Sequence, residues 1–221
     1  MKLGHIMFAS AIALAAVPQA ASAAIIWSDL TTQGANTVSG TVGGTTVVYN
    51  GDVVFPTSTN GTGANYWVPF PSGDGPNTGP EPTDIIATSA AGLKTITFGS
   101  AVTDIYIALN SWNGQAATFS SPFTIYAQGC GYWGCGSGTA SNGNLTLTAS
   151  GELHGILKFS GNFTSLSYTD QTSEYWHGIQ IGIGGLAGAI PEPSAWALMI
   201  VGFGAVGAGL RRRARVKFAA A

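Results

Sequence analysis

The sequence predicts an all-β protein: an antiparallel β-sandwich, jelly-roll-like, with a leader before it and one apolar helix after it. Three observations carry this. Between Ile25 and Gly184 no run keeps helical periodicity long enough for a helix, while short alternating segments rich in Val, Ile, Thr, Tyr and Phe recur. Gly, Asn, Ser and Pro fill the gaps between them. Roughly 160 residues in two sheets are also enough to bury one sizeable core without metals or several disulfides.

In chain order, the leader comes first. "MKLGHIMFASAIALAAVPQAASAA" has Lys2, an apolar run from Ile6 to Val17 and the small-residue pattern Ala21-Ser22-Ala23. This reads as a secretory signal peptide over residues 1–23, cut between Ala23 and Ala24, so the body 24–184 is an exported ectodomain. Ten short strands are expected there: Thr37–Val42, Thr45–Tyr49, Val53–Phe55, Thr95–Phe98, Asp104–Leu109, Phe123–Ala127, Leu145–Ala149, Gly155–Phe159, Phe163–Tyr168 and Ile179–Ile183. Gly43-Gly44 joins the first two as a hairpin. Period-two alternation puts Ile105, Ile107 and Leu109 on one face of their segment, and Ile179, Ile181 and Ile183 likewise fall on the same side; both are core stripes.

Between Phe55 and Asp84 proline and glycine are too dense for regular structure, and Tyr66, Trp67 and Phe70 predict that this long loop packs back on the sandwich. Cys130 and Cys135 flank "GYWG" in a Gly-rich stretch. In an oxidising compartment they suit a local disulfide, with two free thiols as the alternative, and the bond would order Tyr132 and Trp133 more than the whole fold. The spacing is wrong for a C-x-x-C redox pair, and zinc would need further ligands.

Charge narrows the function. The chain is 45% hydrophobic and only 8% charged, and from Ala24 to Ile190 Lys94 and Lys158 face nine acids, a net of −7 (2 minus 9). Such a body repels phosphates, which argues against nucleic acid as a partner. No H-E-x-x-H or G-x-S-x-G pattern is present, and His154 and His177 read as ordinary sheet or loop residues. Glu152 and Glu174 could be nominated as a glycosidase pair, but two acids among nine can always be nominated. Asp74, Asn77, Glu81 and Asp84 offer oxygens to calcium without the EF-hand order, so they are read as solvated acids. No catalytic residue, cofactor or metal is therefore expected. Trp67, Trp112, Trp133 and Trp176 lie in or beside predicted loops and are the candidate glycan-stacking residues, against the alternative of core packing.

After a linker at 185–190 the chain reads "PEPSAWALMIVGFGAVGAGLRRRAR". Gly202, Gly204 and Gly207 match G-x-G-x-x-G, but a dinucleotide turn needs an acid about 20 residues on, and no Asp or Glu follows. Ala195–Leu210 is uncharged and runs into Arg211, Arg212 and Arg213. As a helix it would be roughly 24 Å long. Trp196 at one interface and snorkelling arginines at the other fit it to a bilayer core of about 30 Å, arginines inside.

Pro191-Glu192-Pro193, then Trp196-Ala197, a glycine-rich apolar helix and an arginine cluster resemble the PEP-CTERM sorting signal in its PEPxxWA form. The resemblance covers residues 191–215. It implies that Pro191, Glu192, Pro193 and Trp196 form the element read by an exosortase, that 195–210 is a transient inner-membrane anchor, and that Arg211, Arg212, Arg213 and Arg215 form a retention cluster. It further implies a Gram-negative surface or extracellular-matrix protein. A structural or adhesive role in exopolysaccharide and biofilm is expected, the alternative being a secreted carbohydrate-binding module that uses loop aromatics.

Overall fold

The computed structural model describes residues 24–71, 79–80, 83–188, 199–207 and 211. The expected leader, the Pro191-Glu192-Pro193 motif, Trp196, and Arg212, Arg213 and Arg215 lie outside the described residues. Eleven strands run in order: β1 Ile26–Trp27, β2 Asp29–Gln33, β3 Thr37–Val42, β4 Thr45–Asn50, β5 Ile86–Thr88, β6 Gly92–Asn113, β7 Ala116–Phe119, β8 Thr124–Gly131, β9 Gly134–Ser141, β10 Thr146–Asp170 and β11 His177–Leu186. All pairings are antiparallel, as expected.

Two long strands organise the molecule. The first part of β6 lies between β4 (Val47↔Phe98 to Asn50↔Thr95) and the end of β10 (Ser165↔Thr97 to Asp170↔Gly92). Its second part lies between β11 (Gly178↔Asn110 to Leu186↔Val102) and the middle of β10. One continuous sheet thus folds over a main core, to which Leu30, Val38, Tyr49 and Ile96 contribute from one half and Ile105, Ile107, Leu109, Ile179, Ile181 and Ile183 from the other. Both predicted stripes are fully buried.

Several expected strands prove to be pieces of longer ones. Thr95–Phe98 and Asp104–Leu109 both belong to β6; Leu145–Ala149, Gly155–Phe159 and Phe163–Tyr168 belong to β10. The glycines and small residues between them mark register shifts, where a strand bends and twists without ending. Val53–Phe55 is not a strand: Val54 N–H donates to Ala87, but Pro56 brings no donor to continue a ladder, and Phe55 is exposed. β11 runs to Leu186, two residues into the expected linker. β1 pairs with β11, so the two ends of the body lie side by side.

The described part of the loop after Phe55 packs on the outer face of the second half, as its aromatics predicted. Trp67, Ile85 and Ala108 form a small core there, with Trp27, Tyr66, Phe70 and Trp176 packed against it. Gly178 makes the close approach possible, since a Cβ on it would lie 2.4 Å from the Ile85 side chain. In the tail, residues 199–207 are helical and exposed. Among the described residues no helix is long and apolar enough to cross a membrane.

Candidate functional site

A β-bulge builds the site. Leu153 pairs with Trp112 and Gly155 with Leu109, so Asn110 and Ser111 together face His154. Ser111 has φ of +57°, the left-handed region, which costs a non-glycine residue roughly 1–2 kcal/mol. The extra residue resets the alternation. Trp112 turns into the core beside Leu109, and Asn113 turns outward to meet Glu152, its direct partner on β10.

Around this bulge a cleft of about 520 Å³ is lined by Ser111, Asn113, Trp133, Glu152, Glu174, Tyr175 and Trp176. Asn113 holds both glutamates. Its Nδ2 donates to Glu152 Oε1 at 2.8 Å, and its backbone N–H donates to Glu174 Oε2 at 3.3 Å. Ser111 Oγ donates to the other oxygen of Glu152 at 2.5 Å. The two acids that could be nominated from the sequence thus stand in one cleft, on either side of one asparagine.

Aromatic rings form the other wall. Cys130 and Cys135 are directly opposed across β8 and β9 and disulfide-bonded, which fastens the hairpin that carries Tyr132 and Trp133. The Tyr66 ring stacks on Trp133 at 5.9 Å and 26°, with Tyr132 edge-on to Tyr66 at 5.3 Å. Trp176 meets Trp133 edge-on at 5.8 Å. Trp133 keeps 47% of its surface exposed and Tyr175 keeps 95%, so rings are open to a ligand.

The four candidate tryptophans therefore divide. Trp133 and Trp176 line the cleft. Trp67 and Trp112 do not reach the surface: they are buried, with Nε1 donating to Asp84 O at 3.0 Å and to Gly178 O at 3.1 Å. Asp84 is corrected too. It is a buried loop organiser rather than a solvated acid, accepting the N–H groups of Leu30 and Gly61, each at 2.7 Å. Asp74, Asn77 and Glu81 lie outside the described residues.

Behind the cleft runs a charged chain that was not read from the sequence. Glu174 Oε1 is 2.7 Å from His177 Nδ1, His177 Nε2 is 3.3 Å from Asp170 Oδ2, and Lys94 Nζ is 3.1 Å from Asp170 and 3.0 Å from Asp52. Burial pushes the His177 imidazolium down, but Asp170 and Glu174 together outweigh it and hold its pKa above the ordinary value. The signal was phase: Lys94 alternates with Ile96 and Phe98, and Asp170 with Leu166 and Tyr168, so both had to point into the core.

His154 behaves differently. It is fully buried on the outer face of β10 under Gly131, and neither ring nitrogen has a partner. Burial pushes its pKa down against the opposing pull of Glu152.

No curated protein and no solved structure matches the chain. Residues 189–213 do match the family model described as the PEP-CTERM protein-sorting motif, which implies an exported protein targeted to the cell surface and is consistent with an exosortase substrate.

Proposed function

We propose that the chain is an adhesive surface or matrix protein of a Gram-negative bacterium. Its body, a jelly-roll-like sandwich, contacts exopolysaccharide through the aromatic cleft, while its tail passes through the inner membrane before processing. The observation that carries the adhesive part is the union of open rings and oriented hydrogen-bonding groups in one cleft. Sugars are recognised by stacking of their C–H faces on flat rings together with a few fixed polar groups, and this wall of Trp133, Tyr175 and Trp176 beside Ser111, Asn113, Glu152 and Glu174 supplies both. Pull-down on purified matrix polysaccharides tests it. Binding should be lost in Trp133→Ala and Trp176→Ala, and absence of binding to any polysaccharide by the native chain would sink the reading.

For the tail, Ala195–Leu210 serves as the transient span, with Arg211, Arg212, Arg213 and Arg215 retained inside and Pro191, Glu192 and Pro193 presented outside for processing. Unchanged processing and surface display after Glu192→Ala would reduce the tail to a plain anchor.

One observation favours a hydrolytic second reading: Glu152 and Glu174 share the cleft, as paired carboxylates do in glycosidases. Reducing ends released from a bound polysaccharide, and lost in Glu152→Gln, would distinguish hydrolysis from adhesion.

A further inference from the structure

Resting on the saccharide-binding reading, we infer that the cleft selects a cationic sugar, a polymer of hexosamine with free ammonium groups, over neutral or anionic polysaccharides.

The polar character of the cleft is one-sided. Two glutamates line it, and its other residues are Ser111, Asn113 and three aromatics, with no lysine or arginine among the described lining residues. Elsewhere in the described body both lysines are committed. Lys94 is buried between Asp52 and Asp170, and Lys158 is 2.9 Å from Asp104 and lies 5.5 Å from the centre of the Tyr106 ring. A uronate or sulfated chain would therefore meet carboxylates with no cation to receive it, inside a body whose sequence charge is already negative.

The carboxylates are also prepared for a donor. Glu152 is fixed through both oxygens by Ser111 and Asn113, and Glu174 by Asn113 and His177, so neither must reorganise when a ligand arrives. Each carboxylate oxygen has two lone pairs, and one protein contact on each Glu152 oxygen and on Glu174 Oε2 leaves capacity for a further donor, while Glu174 Oε1 is buried against His177. Exposed Trp133 and Tyr175 add ring faces, whose negative quadrupole attracts a cation as well as stacking on a sugar. A neutral sugar would use the rings and leave the ionic complement unfilled; an ammonium-bearing sugar uses both. The stacking wall favours a saccharide over a lysine-rich peptide, which would bring the cation but no flat face.

The test is calorimetric titration of the purified full chain with three oligosaccharides of equal length: a fully de-N-acetylated hexosamine oligomer, its N-acetylated counterpart and a neutral glucan, with oligolysine as a fourth titrant. At mildly acidic pH and low salt the deacetylated oligomer is expected to bind at least tenfold tighter than the other two sugars. The advantage should shrink in molar salt. Glu152→Gln keeps the shape and the Asn113 contact, and should abolish the preference while leaving residual stacking affinity.

Equal affinity for all three sugars overturns the inference and leaves saccharide binding standing. Binding to no sugar overturns both. A preference untouched by Glu152→Gln overturns this cleft as its source, and tighter binding of oligolysine than of the deacetylated oligomer overturns the sugar assignment.

Discussion

His177 Nδ1 sits 2.7 Å from Glu174 Oε1, joining a glutamate at the cleft to a fully buried histidine and, through it, to Asp170 and Lys94. This contact makes stability depend on pH in a stated direction. The pKa of folded His177 is raised above the ordinary 6.5, because the two carboxylates outweigh burial. Its contribution is complete below about pH 6.5 and is lost as pH rises through the folded value. Urea midpoints measured from about pH 6 to about pH 9 should fall in that window, by up to roughly 1.4 kcal/mol per pH unit, and His177→Gln should remove the slope. A flat profile in the native chain would mean that His177 stays neutral.

At the acid end Asp52 acts in the opposite sense. Burial would raise its pKa, but the N–H groups of Ser89 and Ala90, the Thr88 hydroxyl and Lys94 hold it well below the ordinary 3.8. Its contribution is present above about pH 3.8 and disappears as pH falls. Acid unfolding followed by tryptophan fluorescence should therefore begin at higher pH in Asp52→Asn than in the native chain.

Lys94 is 2% exposed in its side chain and carries the positive charge between two aspartates. Lys94→Met keeps most of the apolar stem but leaves Asp170 and Asp52 without it. Removing one member of such a buried network costs about 3–5 kcal/mol, so the variant should unfold at markedly lower urea. A loss under about 1 kcal/mol would show that the ions were never strongly coupled.

What the sequence revealed and concealed follows from local periodicity. Ile105, Ile107, Leu109 and the isoleucines of β11 were legible because strict alternation survives there. Trp112 was not, because the bulge at Asn110 and Ser111 inverts the phase just before it, and nothing local announces a serine at φ +57°. The short strands β1, β2, β5, β7 and β9 lacked apolar alternation; β9, "GCGSGTAS", is held by pairing with β10 rather than by its own side chains. Glu152 and Glu174 could be named but not joined, since only the fold brings Asn113 between them. Lys94 could have been found: it follows exposed Leu93 in the phase of Ile96, so the usual hydrophobic-in rule is reversed at that pair.

Reducing the disulfide should separate binding from stability. Cys130 and Cys135 are five positions apart, and closing so short a loop contributes about 2 kcal/mol at most in the chain-entropy account. Its local effect is larger, since the bond fastens the turn bearing Tyr132 and Trp133. Cys130→Ser with Cys135→Ser should shift the urea midpoint modestly, yet weaken polysaccharide retention as much as Trp133→Ala does. Full retention by the double variant would show that ring packing on Tyr66 alone holds the turn.

Gly131 and His154 should be coupled. A Cβ at position 131 would stand 2.2 Å from the His154 ring, far inside contact distance, and that ring is fully buried. Gly131→Ala should cost about 1–3 kcal/mol, the range for overpacking. His154→Ala removes the obstacle and also two buried nitrogens without partners, so its own cost should be small for a buried side chain. Combining the two should recover most of the Gly131→Ala loss, giving a coupling of at least about 1 kcal/mol in a double-mutant cycle measured by urea denaturation. Strict additivity would mean that the hairpin lifts away from β10 when crowded, and the same Gly131→Ala variant would then lose polysaccharide binding because Trp133 had moved with it.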